Sequence, residues 1–185
     1  CSTIAGGACN CITANQAVIA GGTLNTGSGA CGFIGGGLCN YNNSSCGVIV
    51  GGQSNINDVD SLAAFMGAGC CNTITNDSLS AVLVGGDGNR VDGSEHGIIV
   101  GGDRNVVGYS SNHTIVVGGT LNTASLACGF IGGGELNKLC GGQSSRAHDF
   151  IGGGCGNTVS TCYGCNVIVG GKGSSISGYD NSNFI

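Results

Sequence analysis

The chain has 185 residues, of which 40 are glycine, none is proline and only 8% are charged, and its formal net charge at pH 7 is −5. Glycine does not recur at every third position, which excludes collagen, and 41% apolar residues argue against a disordered segment. With only five basic residues and no apolar run near the roughly 20 residues of a spanning helix, we expect neither a nucleic-acid partner nor membrane insertion.

A pair of glycines followed three residues later by an asparagine recurs along the chain at intervals of 15 to 20 residues. The asparagines are Asn10, Asn25, Asn40, Asn55, Asn72, Asn89, Asn105, Asn122, Asn137 and Asn157, and Ser174 takes the position in an eleventh repeat. Repeats this short cannot bury an apolar face alone, so they must stack. The sequence therefore predicts an all-β fold, a single parallel β-solenoid domain over residues 1–185. It would have about eleven rungs of 15 to 20 residues, each with a Gly-Gly-x-x-Asn corner.

The corner residues predict an asparagine ladder with a structural role. Glycine reaches positive φ, and asparagine tolerates the left-handed region while its amide can bond to the rungs above and below. Residues 85–89 and 101–103 faintly resemble calcium-binding nonapeptide repeats, but most copies lack the aspartate that calcium requires. We therefore expect no metal site and no cofactor.

A short apolar strand precedes the glycines in every repeat. Its central residues are Ile4, Ile19, Ile34, Ile49, Met66, Leu83, Ile99, Val116, Ile131, Ile151 and Ile168. We expect one strand per rung, stacked in parallel at about 4.8 Å, with this column inside the solenoid.

The residues on either side of that central position vary together and predict a packing face. Each of Phe33, Phe65, Phe130 and Phe150 is followed two residues later by glycine, whereas smaller first residues precede larger second ones, as in Val48 with Val50. The combined volume of each pair therefore stays roughly constant from rung to rung, which is typical of a packed surface. This predicts that the face is buried against another copy of the chain. The alternative is that each ring only covers its own glycine.

Thirteen cysteines in a chain of this length favour disulfides and an oxidising, extracellular compartment. Cys31 and Cys46 share a repeat position on consecutive rungs, within disulfide reach. Cys128 has the same repeat position as Cys31 and Cys46, but the nearest possible disulfide partner on the next rung, Cys140, stands three positions earlier in its repeat. Cys162 and Cys165 form a single Cys-x-x-Cys motif. The alternative is that the thiols are small buried spacers in a tight core.

No catalytic set is apparent, and we predict that the protein is not an enzyme. His96, His113 and His148 are taken to occupy unrelated positions in their repeats, and no nucleophile stands in a recognisable setting. The strand of the first repeat begins at the start of the chain, and residues 183–185 match residues 149–151 of an inner repeat. This predicts uncapped rungs at both ends, which favour end-to-end stacking.

Residues 21–29 and 118–125, which both begin Gly-Gly-Thr-Leu-Asn-Thr, resemble the glycine-rich repeats of trimeric autotransporter heads and of phage and giant-virus fibres. The resemblance implies an extracellular, non-enzymatic β-solenoid, often trimeric, that binds or builds a surface. The many cysteines also make the chain similar in character to disulfide-linked extracellular sheaths and filaments.

These patterns predict a structural protein that forms homo-oligomers or polymers by end-to-end stacking and lateral packing, giving a disulfide-reinforced extracellular sheath or filament. The alternative is a trimeric adhesin or a virion or phage tail-fibre segment, in which variable loops at residues 41–45 and 138–148 bind a surface receptor. A monomeric ice-binding solenoid is disfavoured because no regular Thr-x-Thr ladder runs along a face.

Overall fold

The computed structural model describes residues 1–58, 60–141, 148–161, 164–178 and 182–185. These residues contain no helix and form two parallel sheets of eleven strands each, joined by turns and bends. Ten complete turns of the chain separate the first strand of a sheet from its last. The prediction of an all-β parallel solenoid is confirmed.

The first sheet contains the apolar strands that precede the glycines. Its strands are β1 (Thr3–Ile4), β3 (Val18–Ile19), β5 (Phe33–Ile34), β7 (Val48–Ile49), β9 (Phe65–Met66), β11 (Val82–Leu83), β13 (Ile98–Ile99), β15 (Ile115–Val116), β17 (Phe130–Ile131), β19 (Phe150–Ile151) and β21 (Val167–Ile168).

A second sheet follows the asparagine of each rung, so the prediction of one strand per rung is wrong. Its strands are β2 (Cys11–Ile12), β4 (Thr26–Gly27), β6 (Tyr41–Asn42), β8 (Ile56–Asn57), β10 (Thr73–Thr75), β12 (Arg90–Asp92), β14 (Val106–Val107), β16 (Thr123–Ser125), β18 (Lys138–Cys140), β20 (Thr158–Thr161) and β22 (Ser175–Gly178). These strands lack the uniformly apolar column that marks the first sheet, and so the sequence pattern does not reveal them.

The register between rungs is constant along both sheets. Ile4 pairs with Ile19, and the same step repeats as far as Ile151 with Ile168. A third column of single-residue bridges follows the second glycine of each corner, beginning at Ala8 with Thr23. Each turn is therefore held to the next at three places, and equivalent residues of successive rungs lie one above another.

The core is one continuous column between the two sheets. The inward residues of the first sheet from Ile19 to Ile168 are at most 1% exposed, and they share a cluster with the inward residues of the second sheet from Ile74 to Ile176. Burying one such side chain contributes about 1.5–3 kcal/mol. No rung has a core of its own, so stability comes from stacking.

From the second to the fourth rung the inward position of the second sheet holds a glycine or an asparagine, whereas the first rung has Ile12 there. Gly27, Asn42 and Asn57 occupy the column that Ile74 and Val91 fill further along. Asn42 and Asn57 are buried, and the Nδ2 of Asn42 donates to the carbonyl of Gly47 at 2.8 Å. The early rungs thus replace part of the apolar contact with side-chain hydrogen bonds to the opposite turn.

Candidate assembly surface

The corners fix the spacing of the rungs through a continuous asparagine ladder. The Nδ2 of Asn105 donates to Asn89 Oδ1 at 3.1 Å, to the Gly101 carbonyl at 3.1 Å and to the Gly119 carbonyl at 2.9 Å. Its Oδ1 accepts from the backbone NH of Asn122 at 3.0 Å. The backbone NH of each later asparagine, and finally that of Ser174, bonds in the same way to the asparagine one rung before, starting from Asn10. The asparagine ladder therefore holds successive rungs rigidly in register, and it supports the outward surfaces of the two sheets.

The second glycine of each pair is required by both conformation and space. Gly102 has φ +92°, and a Cβ placed there would overlap the carbonyl oxygen of Gly119 and lie 2.6 Å from the Nδ2 of Asn105. A Cβ on the preceding Gly101 would meet nothing within 4 Å. The close approach of rungs at the corner therefore depends on the second glycine and not on the first.

The outward face of the first sheet is apolar along the solenoid. Its outward residues just ahead of the glycines include Val50, Val84, Val100, Val117 and Val169, which are between 39% and 56% exposed. The residues two positions earlier are half-buried or exposed, and none of either column is charged. We call this surface, formed by residues 3, 18, 33, 48, 65, 82, 98, 115, 130, 150 and 167 with the residue two positions after each, the apolar face.

The outward face of the second sheet is polar by contrast. It carries the ion pair of Arg90 with Asp92, whose atoms are 2.6 Å apart, and otherwise mostly threonine and serine, although Ile56 is also exposed there. The corner column beside it carries Asp103, whose pKa is lowered by its hydrogen bond with Arg104, and also exposed leucines such as Leu24 and Leu136. Apolar residues are therefore concentrated on the outward face of the first sheet, but they are not confined to it.

The four phenylalanines lie on the apolar face, and the rings of Phe33, Phe130 and Phe150 cover their own glycines. Phe33 and Phe65 are exposed, whereas Phe130 and Phe150 are half-buried and stack with ring centroids 5.2 Å apart. Ideal Cβ positions on Gly35, Gly132 and Gly152 lie 3.3 to 3.5 Å from the ring two residues before. Within one chain the rings therefore act locally, and burial of the face would need a second copy.

Disulfides are absent among the described cysteines. Twelve of the cysteines are free thiols, nine exposed and three half-buried, so they are not core spacers either. Cys31 and Cys46 do lie in one column on adjacent rungs, and the Cys31 thiol contacts Gln16 Oε1 at 3.3 Å.

The other two expected cysteine pairs do not meet in the described structure. Cys140 pairs in register with Ser125 and Ser160 in the second sheet, so it does not share a column with Cys128. Cys165 is exposed, and Cys162 lies outside the described residues.

The histidine prediction is wrong, because all three residues stand at the same position of their repeats, nine residues before the corner asparagine (105 − 96, 122 − 113 and 157 − 148). His96 and His113 lie one rung apart in the same column as Cys31, and their rings stack with centroids 4.9 Å apart. His148 is exposed and belongs to that column on a later rung, two residues before Phe150, which pairs with Phe130.

The segments taken as variable receptor loops are partly strand. Tyr41–Asn42 is β6 and Lys138–Cys140 is β18, while residues 142–147 lie outside the described residues. A separate open recess of about 420 Å³ is lined by Asp77, Glu95, Tyr109 and Asn112 among others.

No protein-family model matches the chain, and a comparison with curated proteins found no match. The described part of the chain also has no helix of the length and hydrophobicity that crossing a membrane would need.

Proposed function

We propose that this chain is a structural, non-catalytic protein that assembles with copies of itself through the apolar face into an extracellular sheath or filament. The observation that carries the proposal is that the outward face of the first sheet is uncharged and mostly apolar along the solenoid, with a partly or fully exposed residue at every position, whereas the outward face of the second sheet is mostly polar. Contiguous exposed apolar surface of this size marks an interaction site.

The area of the face suits association between copies. Ten steps of about 4.8 Å and a width of three residues at about 3.3 Å give about 500 Å² on each partner. Two such faces bury about 1,000 Å² in total, which reaches the lower range of specific interfaces. The paired variation of phenylalanine with glycine and valine with valine keeps the face even, as packing of one copy on another requires.

End-to-end stacking is the second part of the proposal. Neighbouring rungs are joined by backbone hydrogen bonds and by the side chains of the corner asparagines, which all rungs but the last carry. Rungs of successive copies can pair by the same pattern, and exposed thiols on the rungs would then allow disulfides to reinforce the assembly under oxidising conditions.

The experiment compares association of the wild-type chain with that of Val100→Asp/Val117→Asp. Sedimentation velocity over a range of concentrations and electron microscopy, each with and without reductant, report oligomers and polymers. We expect the wild type to associate side by side, and we expect the double variant to lose this lateral association while its circular dichroism spectrum is unchanged. Thr73→Asp/Thr123→Asp, which adds the same charge to the polar face, should associate like the wild type.

Two results would count against the proposal. One is a wild-type chain that stays monomeric at every concentration. The other is undiminished association of Val100→Asp/Val117→Asp. Polymers that loosen only on reduction would support the reinforcing role of the cysteines, and polymers indifferent to reduction would remove it.

A trimeric adhesin or fibre segment is the second candidate, favoured by the open recess beside Tyr109. Tyr109 is 64% exposed, and an exposed aromatic ring beside acidic and amide side chains is typical of a binding surface. This candidate predicts discrete three-chain particles and loss of surface binding in Tyr109→Ala without loss of assembly.

A further inference from the structure

Two adjacent cysteines and an aspartate from the next rung converge on one point of the corner column. Cys70 bridges in parallel to Asp87, and Cys71 follows it with φ 57°. The Sγ atoms of Cys70 and Cys71 are 3.1 Å apart, and both lie within 4.8 Å of a carboxylate oxygen of Asp87. No other such group of three is present among the described residues.

The backbone holds these side chains together without any ligand. The NH of Cys70 donates to the Gly86 carbonyl at 3.0 Å, and the NH of Cys71 donates to the Gln53 carbonyl at 2.9 Å. On the next rung the NH of Asp87 donates to the Gly102 carbonyl at 3.0 Å. Because the ladder fixes the register, the thiols and the carboxylate are positioned in advance, as binding requires.

The donor atoms select one class of ligand. Two thiolates and a carboxylate suit a d¹⁰ cation of intermediate or soft character, whereas calcium and magnesium require oxygen ligands. Tetrahedral zinc with Zn–S bonds of about 2.3 Å places its sulfurs about 3.8 Å apart, a small side-chain rotation from the present separation. Cys71 and Asp87 are exposed and Cys70 is half-buried, so a cation can enter and a water molecule can complete its coordination.

We propose that Cys70, Cys71 and Asp87 form a binding site for a thiophilic divalent cation, represented by Zn²⁺. Binding replaces the two thiol protons with the cation, and these protons pass to solvent. The site differs from the calcium repeat that residues 85–89 resemble, because its defining ligands are sulfurs. The proposal is independent of assembly through the apolar face.

Metal binding requires both sulfurs as thiolates and releases their protons to solvent, so the affinity should rise with pH.

The chain provides a matched comparison at Cys155. Cys155 lies in the same column as Cys70, but glycine occupies the next position and the neighbouring rungs carry Glu135 and Lys172. It therefore offers one thiol and one carboxylate, with a cation on the other side. We expect no tight binding there.

The test is a titration of the reduced full-length chain with Zn²⁺ by calorimetry and with Cd²⁺ by thiolate-to-metal charge-transfer absorption. We expect one tight equivalent in the wild type, a loss of at least about 100-fold in affinity in Cys71→Ser and of about tenfold in Asp87→Asn. Cys155→Ser should bind like the wild type. The variants should fold, because Ser54 and Gln53 occupy the equivalent positions one rung before, Ser54 with φ 54°.

Several results would overturn the site. These are wild-type affinity in Cys71→Ser, equal losses in Cys71→Ser and Cys155→Ser, and the absence of a charge-transfer band. A Cys70–Cys71 disulfide that persists when the chain is purified in the presence of reductant would also overturn the proposed site. A fall in affinity on lowering the pH, seen in the wild type and absent from Cys71→Ser, would support it.

Discussion

Asn105 shows how much one side chain contributes to a corner. It is fully buried and joins its own rung to both neighbours through Nδ2 and Oδ1. Asn105→Ala leaves the Gly101 carbonyl and the NH of Asn122 without these partners, whereas the Gly119 carbonyl keeps its hydrogen bond from the NH of Asp103. Each stranded buried group costs about 1–3 kcal/mol. We expect the free energy of unfolding, measured by chemical denaturation, to fall by about 3 kcal/mol or more.

Asn10→Ala is the matched control at the first corner. Asn10 also donates to two carbonyls, those of Gly6 and Gly22, but it is only half-buried, so water can replace its hydrogen bonds. The loss there should be about 1 kcal/mol. Equal losses in the two variants would show that burial does not decide the strength of the ladder.

The thiol of Cys70 should titrate unusually late. Its hydrogen bond with Cys71 is the largest cause that raises its pKa from 9.0 to about 11. Alkylation requires the thiolate, so its rate at Cys70, followed by mass spectrometry on metal-free protein, should increase up to about pH 11. Cys71→Ala should lower that midpoint toward 9.0, and Cys39→Ala should leave it unchanged.

The raised pKa of Cys70 also makes the stability of the folded chain depend on pH. The folded chain keeps the Cys70 proton at pH values at which the unfolded chain releases it. The contribution of this thiol to stability is therefore present below pH 9.0 and is lost as the pH rises toward about 11. A Cys70 midpoint that is the same in the wild type and in Cys71→Ala would contradict the assigned cause.

Within a rung, the two glycines of a corner should respond differently to substitution. Gly102→Ala places a side chain at φ +92° and against a backbone carbonyl that cannot move away. We expect a loss of about 3 kcal/mol or more, or failure to fold. Gly101→Ala enters open space and should change the free energy of unfolding by no more than about 0.5 kcal/mol. Thermal and chemical denaturation of both variants measure the difference, and similar losses would be incompatible with this geometry.

Between rungs, oxidation should join Cys31 to Cys46. Both are exposed, lie in one column on adjacent rungs and have φ 56°. Loss of two protons and two electrons to a mild oxidant would close a loop of 15 residues (46 − 31) and stabilise the fold by about 3 kcal/mol. Peptide mapping without reductant identifies the bond, and denaturation before and after reduction measures its effect.

Cys9 and Cys39 serve as the internal control for that oxidation. They share a column, but Leu24 occupies the rung between them, so they are about 10 Å apart and beyond disulfide range. An intrachain Cys9–Cys39 bond, or the absence of Cys31–Cys46, would contradict the observed register.

The first sheet and the corners could be read from the sequence because every rung repeats them. The inward column from Ile4 to Ile168 is never polar, and the asparagine keeps a fixed distance from the glycines. The second sheet could not be read in this way, because Gly27 and Asn42 interrupt its inward column and its outward residues are polar. Periodic hydrophobicity is the signal that reveals a strand, and here it is missing.

The sites that depend on register can be found only by counting residues back from each corner asparagine. Cys70 and Cys71 are adjacent in sequence, but Asp87 joins them only because the rung between them has 17 residues (87 − 70) and the ladder is in register. His96 and His113 meet in the same way. The apolar face, in contrast, could be predicted from the paired volumes of its residues, although its coverage by a second copy could not.

Along the whole molecule, the apolar face is a long strip about 50 Å by 10 Å on a rigid support. Rigidity matters for assembly, because a face fixed by backbone ladders and asparagines loses little conformational entropy when a partner covers it. A side chain of the wrong volume on this rigid face is present in every copy, so it disturbs every contact between copies. Association should consequently depend on the volume of the face as well as on its hydrophobicity.

Val117→Phe separates these two properties. It enlarges a side chain that is 39% exposed, so the isolated chain can accommodate it, and it adds apolar area while breaking the pairing of large residues with glycine. If copies pack specifically through the face, sedimentation should show weaker association than in the wild type, because overfilling a packed surface costs about 1–3 kcal/mol at each contact. Val117→Ile, a smaller increase in volume, should have a smaller effect. Stronger association of Val117→Phe would instead show nonspecific hydrophobic adhesion, in which area alone decides.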